Sequence, residues 1–295
     1  MGFVVSNSFT LRRLVQNNCR ARSVTMQAEG SISLQISATK DVLSKQLAEF
    51  VIQKAAEAKK EKGKFVVALS GGSLPKTLAK DLVTDDYKIR AEFSSWHVYF
   101  ADERCVPLDH EDSNYGLSKI ELFDKVDIPA DQIYPIDPSL TPEECAGAYA
   151  KSLETGIGEG TPVFGEIRDY ISREKKGVHL LTFCLKTADL LFLGIGPDGH
   201  TCSLFPGHPL LQEKSKTVAH IIDSPKPPPE RVTLTYPVLN AAKDVVFVST
   251  GSSKKDALRS ILKDPNSELP AKLVKPISGS VTWFIDQDAA DGLKG

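Results

Sequence analysis

Asp198 and His200 are the residues of this sequence best suited to proton transfer, and they flank Gly199 in a glycine-rich segment. The unperturbed pKa of histidine, about 6.5, leaves the imidazole mostly neutral at pH 7, so it can accept a proton from water. Asp198 could orient the ring or share the proton. Taken alone, His200 is better interpreted as a histidine that only forms hydrogen bonds within its own loop. The pair therefore predicts a general base only if other segments bring a substrate to it.

A second segment has the composition of an anion-binding turn. Ser70-Gly71-Gly72-Ser73 follows an apolar run and precedes Leu74-Pro75, which predicts a strand, a turn and a helix capped by Ser73. Glycines let backbone N–H groups approach an anion, and the start of a helix adds partial positive charge, so a phosphate fits here. The segment lacks the Lys-Ser/Thr of a nucleotide P-loop, which argues against ATP or GTP.

Charged side chains that could hold the substrate occur after other apolar runs. Arg231 follows the proline-rich loop 225–229, and a stiff loop suits an arginine that must hold an anion in fixed geometry. A solvated surface charge is the ordinary alternative. Lys254 and Lys255 precede a predicted helix, where one could reach a phosphate while the other is solvated. The remaining candidates form one tripeptide, Asp102-Glu103-Arg104.

Two familiar patterns are rejected. Gly194 to Gly199 matches the dinucleotide fingerprint G-x-G-x-x-G, but that fingerprint must open a long helix, and Pro206-Gly207 interrupts it here. His200, Cys202 and His208 lack the ordinary spacing of zinc ligands. We therefore expect neither a dinucleotide nor a metal in this segment.

The elements that must position these residues are short apolar runs separated by helical stretches. Such runs predict buried parallel strands and a doubly wound α/β fold. Carboxyl ends of parallel strands share one edge of a sheet, so four polar segments that are distant in the sequence should line one crevice. An amphipathic helix is predicted from Lys40 to Lys62, with Thr39 as its cap. The predicted strands are Phe65 to Leu69, Val98 to Phe100, Leu190 to Ile195 and Val245 to Val248.

Composition limits the possible partners. The 295 residues are 41% apolar and 25% charged with a formal net charge of −2, which predicts one large α/β domain or two small ones and no global field for nucleic acid or anionic membrane. No apolar run approaches the ~18 residues of a membrane helix. Five cysteines without a C-x-x-C pair argue against a disulfide framework and favour a reducing compartment.

The first 28 residues contain no Asp or Glu but have four arginines among Ser, Thr and Asn, a composition typical of an organelle transit peptide. A disordered tail is the alternative, with Met26 as an internal start for a cytosolic form. We exclude residues 1–28 from the expected fold and take 29–295 as a single domain.

As a set, four motifs resemble the 6-phosphogluconolactonase family, in a plant-like form, over roughly residues 32–288. The resemblance implies a Rossmann-like, mostly parallel sheet with helices on both faces, shared with glucosamine-6-phosphate deaminases, and no cofactor or metal. It implies hydrolysis of 6-phospho-D-glucono-1,5-lactone to 6-phosphogluconate in the oxidative pentose phosphate pathway. The motifs are Ser70-Gly71-Gly72-Ser73, Asp102 to Pro107 with Ser113-Asn114-Tyr115, Gly194 to His200 with Ser203-Leu204-Phe205-Pro206-Gly207, and Pro229 to Thr233.

The resemblance also implies roles for individual residues. His200 is the expected base that activates water, and Asp198 supports it. Arg104 and Arg231 are expected to face the charge of the substrate, and the turn from Ser70 to Ser73 to cradle its phosphate. The expected partner is this small molecule alone. The protein is expected to be a monomer or a weak homo-oligomer in the chloroplast stroma, with the cytoplasm as the alternative.

Two alternative functions remain open at this point. Deaminases of the same fold have an Asn-Glu-Pro type stretch whose carboxylate assists ring opening, where this sequence has Leu204-Phe205-Pro206-Gly207 and no acid. A sugar-phosphate-binding relative without turnover is the other alternative. One departure from the family pattern is the segment Gly165 to Ala188, expected to be an insertion on the edge of the sheet opposite the active site.

Overall fold

A computed structural model describes residues 22–26, 32–157 and 188–293, and these form a seven-stranded sheet with a smaller three-stranded sheet beside it. The strands are β1 Arg22–Met26, β2 Ile32–Ser37, β3 Phe65–Leu69, β4 Trp96–Phe100, β5 Asp102–Arg104, β6 Leu190–Leu193, β7 Val218–Ile221, β8 Arg231–Leu234, β9 Asp244–Ser249 and β10 Ser280–Asp286. The large sheet has the order β1-β2-β10-β9-β6-β3-β4. All its pairs are parallel except β1 with β2.

Helices connect the parallel strands. They are α1 Lys40–Lys62, α2 Leu74–Leu82, α3 Asp85–Ala91, α4 Asn114–Glu121, α5 Pro142–Ile157, α6 Tyr236–Leu239, α7 Lys255–Lys263 and α8 Gln287–Ala290. The predicted bounds and cap of α1 are confirmed. Thr39 Oγ1 accepts a hydrogen bond from the Val42 N–H at 3.2 Å, and Gly63 ends the helix with φ 78°, a conformation that glycine adopts without strain.

Successive residues of β3 point to opposite faces of the sheet, and each face has its own apolar core. Phe65, Val67 and Leu69 pack into the core that α1 to α4 cover. Val66 and Ala68 pack into the other core, which is covered by α5, α7 and the small sheet. Because both faces are buried, the strand reads as a continuous apolar run rather than an alternating one. The predicted doubly wound α/β fold is confirmed.

The small antiparallel sheet, with order β5-β8-β7, was not predicted. Its strand β5 is only three residues long and is separated from β4 by Ala101 alone; its polar sequence Asp-Glu-Arg gives no strand pattern. The pairing places Arg104 directly opposite Arg231. The small sheet therefore brings two separate predicted site segments together.

The chain before residue 29 contributes one strand to the large sheet. Residues 1–28 were excluded from the fold, but Arg22–Met26 form β1, paired with Ile32 to Ile36 by antiparallel backbone hydrogen bonds. Hydrogen bonds between strands join backbone groups, so the side-chain composition that favoured a disordered tail does not exclude a strand here. The segment from Gly165 lies outside the described residues, except for its last residue, Ala188, which is buried before β6. No helix in the described ranges is long and apolar enough to cross a membrane.

Candidate active site

The four polar segments lie at one edge of the large sheet, as the parallel arrangement requires. They follow β9, β6, β3 and β4, which are consecutive neighbours in the sheet. The Ser70 N–H donates to the Phe192 carbonyl at 3.0 Å, which joins the end of β3 to the end of β6. We call the space between these carboxyl ends the crevice.

The segment after β6 is a tight turn and not the start of a helix. Gly196 N–H donates to the His200 carbonyl at 2.9 Å, and Gly199, with φ 80°, donates to the Gly196 carbonyl at 3.0 Å. A Cβ at position 196 would lie 2.0 Å from His200 Nδ1 and 2.3 Å from Asp198 Oδ1. Only glycine therefore leaves room for the side-chain pair at that position, and the rejection of a dinucleotide fingerprint agrees with this geometry.

His200 is half-buried and bonded to Asp198. Its Nδ1 lies 2.5 Å from Asp198 Oδ1, and its ring packs against Phe205 with centroids 4.8 Å apart. Burial lowers the pKa of His200 below 6.5, and the Asp198 carboxylate partly opposes that shift. The Asp198 carboxylate can only accept, so in the tautomer with its proton on Nδ1 the ring donates to Asp198 and carries its lone pair on Nε2. Nε2 has no hydrogen-bond partner among the described residues, which leaves it available as a base.

Lys226 completes this pair and was not among the predicted site residues. Its Nζ lies 3.2 Å from Asp198 Oδ1 and 3.1 Å from His200 Nδ1. The pKa of Asp198 is lowered below its usual range by His200 and Lys226, against the effect of burial. The sequence interpretation had treated Lys226 only as part of a stiff proline-rich loop. Its flanking prolines were the one signal that could have identified it.

Arg231 holds the Lys226 loop in place. Its Nε donates to the Pro228 carbonyl at 2.9 Å, and its Nη2 donates to the carbonyls of Lys226 and Pro227, both at 2.9 Å. Burial lowers the pKa of Arg231, and the neighbouring Arg104 adds to this effect. Because Nε and Nη2 bond the loop carbonyls, Nη1 is the nitrogen available for the predicted contact with the substrate. The guanidinium therefore mainly fixes the position of Lys226.

The two predicted lysines after β9 differ in their surroundings. Lys254 is partly buried, and its pKa is lowered by burial and by the charge of Lys226, while Asp198 raises it. Lys255 is exposed and is the first residue of α7. The structure thus brings Lys254 to the crevice and leaves Lys255 in solvent. Two ammonium groups that repel each other form a site that an anion would stabilise.

The glycine turn after β3 is built against Asn114. A Cβ at position 71 would lie 1.7 Å from Asn114 Oδ1, and Gly72 has φ 71°, so both positions require glycine. Asn114 Nδ2 donates to the Asp102 carbonyl at 2.8 Å, which ties this turn to the one after β4. Ser73 precedes α2 as predicted, but its side chain makes no capping bond.

The predicted tripeptide after β4 divides into different tasks. Asp102 Oδ2 accepts a hydrogen bond from Ser203 Oγ at 3.0 Å and so holds the loop that follows His200. Arg104 Nη1 donates to the Asp112 carbonyl at 2.6 Å, while its buried Nε has no partner among the described residues. A buried donor without a partner favours an anionic ligand at Arg104.

Glu103 is not brought to the crevice. It is 1% exposed, and its two oxygens accept the backbone N–H groups of Arg104, Asn114 and Tyr115 at 2.7–2.8 Å. Burial raises the pKa of Glu103 to about 7, against these three hydrogen bonds, which lower it. The predicted substrate contact is therefore corrected: Glu103 anchors the start of α4. A carboxylate that follows a strand can either contact a substrate or anchor a helix, and the sequence does not distinguish these two roles.

The described residues contain no cluster of His, Cys, Asp and Glu side chains suited to a metal ion. His208, one of the residues weighed as a zinc ligand, instead contacts Asp223 at 3.1 Å and accepts the Leu210 N–H. The site thus offers a neutral imidazole with a free nitrogen and several basic side chains around it. That combination can activate water next to a bound anion.

The chain is similar in sequence and in fold to known proteins. A family model described as glucosamine-6-phosphate isomerases/6-phosphogluconolactonase matches residues 38–283. A Rattus norvegicus protein named 6-phosphogluconolactonase is 47% identical over 84% of this chain and 88% of its own length. A protein of Oryza sativa subsp. indica, named probable 6-phosphogluconolactonase 3, chloroplastic, is 41% identical over 86% of this chain and 73% of its own length. The solved 6-phosphogluconolactonase of Trypanosoma cruzi has a TM-score of 0.72 and 26% identity over 89% of this chain and 97% of its own.

Proposed function

We propose that this chain, which belongs to the family of glucosamine-6-phosphate isomerases and 6-phosphogluconolactonases, hydrolyses 6-phospho-D-glucono-1,5-lactone to 6-phosphogluconate, a step of the oxidative pentose phosphate pathway. The observation that carries the proposal is the His200 ring, held by Asp198 and with no partner for Nε2 among the described residues, beside the basic side chains of the crevice. A lactone is a cyclic ester, and its hydrolysis needs a base that takes a proton from the attacking water. Binding of the phosphate group of this substrate needs a positively charged side chain.

His200 acts as the general base in this mechanism. Nε2 takes a proton from water as the water oxygen attacks the lactone carbonyl carbon. The imidazolium that forms is stabilised by Asp198, which accepts the Nδ1–H throughout. When the tetrahedral intermediate collapses, the bond from the carbonyl carbon to the ring oxygen breaks, and the proton on Nε2 passes to that oxygen. No covalent bond to the protein is needed.

Basic groups bind the substrate and stabilise its charge. Lys254, with its pKa lowered by burial and by Lys226, gains most from a phosphate dianion, and we assign it to phosphate binding. The backbone N–H groups of Gly71 and Gly72 lie before α2 and support the same role. Arg104, with its unpartnered Nε, is assigned to the charge that develops on the substrate.

The direct test is formation of 6-phosphogluconate from freshly made lactone, with the spontaneous hydrolysis measured in parallel and subtracted. We expect turnover and release of a proton without ammonia. Ammonia release from glucosamine 6-phosphate would instead indicate a deaminase. Binding of the lactone without turnover would indicate a sugar-phosphate-binding protein.

We also propose that residues 29–295 form one domain with an insertion at 165–188, to whose sheet Arg22–Met26 add the edge strand β1. The support is that α5 ends at Ile157 and the chain returns at Ala188, which precedes the amino end of β6, whereas the crevice is at the carboxyl ends. Deletion of 165–188 should preserve or raise turnover, since loop length costs little free energy. A deletion variant that folds but has no turnover would contradict the proposed location.

A chloroplast location is proposed from two observations. Residues 1–28 are basic and lack Asp and Glu, and the Oryza sativa relative is named chloroplastic. A fluorescent protein fused to residues 1–31 should enter plastids, and a fusion that stays in the cytosol would support the cytosolic alternative.

We further propose that the protein is a monomer or a weak homo-oligomer. Light scattering during gel filtration measures this oligomeric state directly.

A further inference from the structure

Three polar atoms of the crevice lie within hydrogen-bond distance of one another. Asp198 Oδ1 is 2.5 Å from His200 Nδ1, and Lys226 Nζ is 3.1 Å from Nδ1 and 3.2 Å from Oδ1. Nδ1 cannot donate to Asp198 and accept from Lys226 at the same time, because it carries either one proton or none. When Nδ1 donates to Asp198, the Lys226 ammonium therefore faces a second donor, and both donors share one carboxylate oxygen.

The position of Lys226 opposes the step that general-base catalysis requires. When Nε2 takes a proton from water, the imidazole becomes a cation, and a second positive charge lies 3.1 Å from its Nδ1. A like charge so close disfavours the charged form of the ring. In the other tautomer, Lys226 donates to Nδ1, the proton is on Nε2, and Nε2 has no lone pair to offer. In both tautomers, the contact with Lys226 weakens His200 as a base.

The remaining groups around His200 do not cancel this effect. Burial lowers the pKa of His200 most, and the Asp198 carboxylate raises it. Of the other two charges that act on the ring, Lys226 lowers the pKa, and Asp102 of β5 raises it by a smaller amount. The ring also packs against the uncharged side chain of Phe205. Lys226 is thus the cation that opposes protonation of the ring.

The Lys226 side chain can leave this position while its backbone stays in place. The Lys226 carbonyl accepts hydrogen bonds from Arg231 Nη2 and Ser224 Oγ, and its N–H donates to Ser224 Oγ at 3.2 Å. Arg231 is itself held against the Phe205 ring, with Cζ 5.7 Å from the ring centroid. By contrast, the Lys226 side chain is 38% exposed and has a flexible four-carbon stem. Its ammonium can therefore follow an anion that enters the crevice.

We propose that Lys226 makes the strength of His200 as a base depend on an anionic group of the substrate. In the free protein, the ammonium contacts Asp198 and His200 and keeps the base weak. The phosphate of the substrate draws the ammonium away, and Asp198 then serves His200 alone. A lactone without phosphate meets the weak base, so the protein discriminates by rate and not only by binding. The inference rests on the proposed function and makes Lys226 a residue that sets specificity.

The first test needs no turnover. The His200 imidazole nitrogens are titrated by NMR in the full chain, and the signal that is missing in His200→Asn identifies them. Lys226→Gln removes the charge but keeps a polar side chain, so the His200 pKa should rise, whereas Lys226→Arg should leave it near the wild-type value. The matched control Lys255→Gln removes an exposed charge and should not change it. A His200 pKa that is unchanged or lower in Lys226→Gln would overturn the inference.

The second test compares 6-phospho-D-glucono-1,5-lactone with D-glucono-1,5-lactone, which lacks the phosphate. For the neutral lactone, kcat/KM should rise several-fold in Lys226→Gln, because a stronger base accelerates proton transfer from water. For the phosphorylated lactone, kcat/KM should not rise. Equal changes for the two lactones, including the parallel losses expected from structural damage, would overturn the inference. Absence of wild-type turnover of the phosphorylated lactone would contradict the proposed function and leave the NMR measurement valid.

Discussion

Replacing His200 by Asn removes the proposed base while it preserves the surrounding charges. A positioned base contributes about 10²–10⁴-fold to a rate, which corresponds to about 2.7–5.4 kcal/mol of activation free energy. Asp198 keeps its contact with Lys226 at 3.2 Å, so no isolated charge is created. The lost packing on Phe205 costs about 1 kcal/mol, too little to unfold a protein of ordinary stability. We therefore expect a folded variant with kcat reduced by that factor.

The assay follows 6-phosphogluconate formation at saturating lactone after subtraction of the uncatalysed rate. His208→Asn is the matched control, because each histidine side chain is 18% exposed and each contacts an aspartate, Asp198 or Asp223. The control should retain near-full kcat. Near-full kcat in the His200 variant would refute the assignment, and Asp198 would then be tested as the base.

The pH dependence provides a second measurement on the same group. Because burial lowers the pKa of His200, the wild-type kcat should stay high above pH 6.5 and fall only at lower pH, as the imidazole is protonated. The free energy of unfolding depends on pH in the same direction. The stability that neutral His200 contributes is present above the pKa that the group has in the unfolded chain, and it is lost as the pH falls toward the lower pKa of the folded protein. A decline of kcat that begins above pH 6.5 would contradict the role of burial.

Three further predictions compare neighbouring positions or competing roles. Lys254→Ala should raise KM about tenfold or more, because a charge-assisted bond to phosphate contributes about 1.5–3 kcal/mol. Replacement of the exposed neighbour, Lys255→Ala, should change KM less than about twofold, and equal effects of the two replacements would contradict the assignment. Gly196→Ala should reduce kcat by about 10²-fold because its Cβ displaces His200, whereas Gly194→Ala, with open space around its Cβ, should retain activity; steady-state kinetics on both tests this. Glu103→Gln should lower the free energy of unfolding by about 1–3 kcal/mol in urea, because its amide would face backbone N–H donors; unchanged stability with a raised KM would return Glu103 to the substrate.

Part of the fold and of the site follows from local patterns in the sequence. Helix α1 was predicted with both bounds and its cap, because apolar periodicity and a capping threonine are properties of adjacent residues. Strands β3, β4, β6 and β9 were predicted within two residues at each end, because strands buried on both faces are continuous apolar runs. β2 and β10 were missed, since their runs are interrupted by polar residues such as Gln35 and Thr282.

The sequence also predicted that the polar segments after the parallel strands would meet, since that follows from strand direction alone. It could not assign tasks within a segment. Asp102, Glu103 and Arg104 are consecutive, yet one holds a loop, one anchors a helix and one has an unpartnered donor. Those differences arise from which distant element packs on each side chain.

The contact of Lys226 with Asp198 and His200 was decided only by the tertiary structure. It joins segments that are distant in the chain, and no periodicity or spacing in the sequence reveals it. Local patterns encode which residues enter a strand or a helix, because neighbouring side chains share one backbone. The pairing of distant side chains depends on how whole elements pack, and that packing is a property of the complete fold.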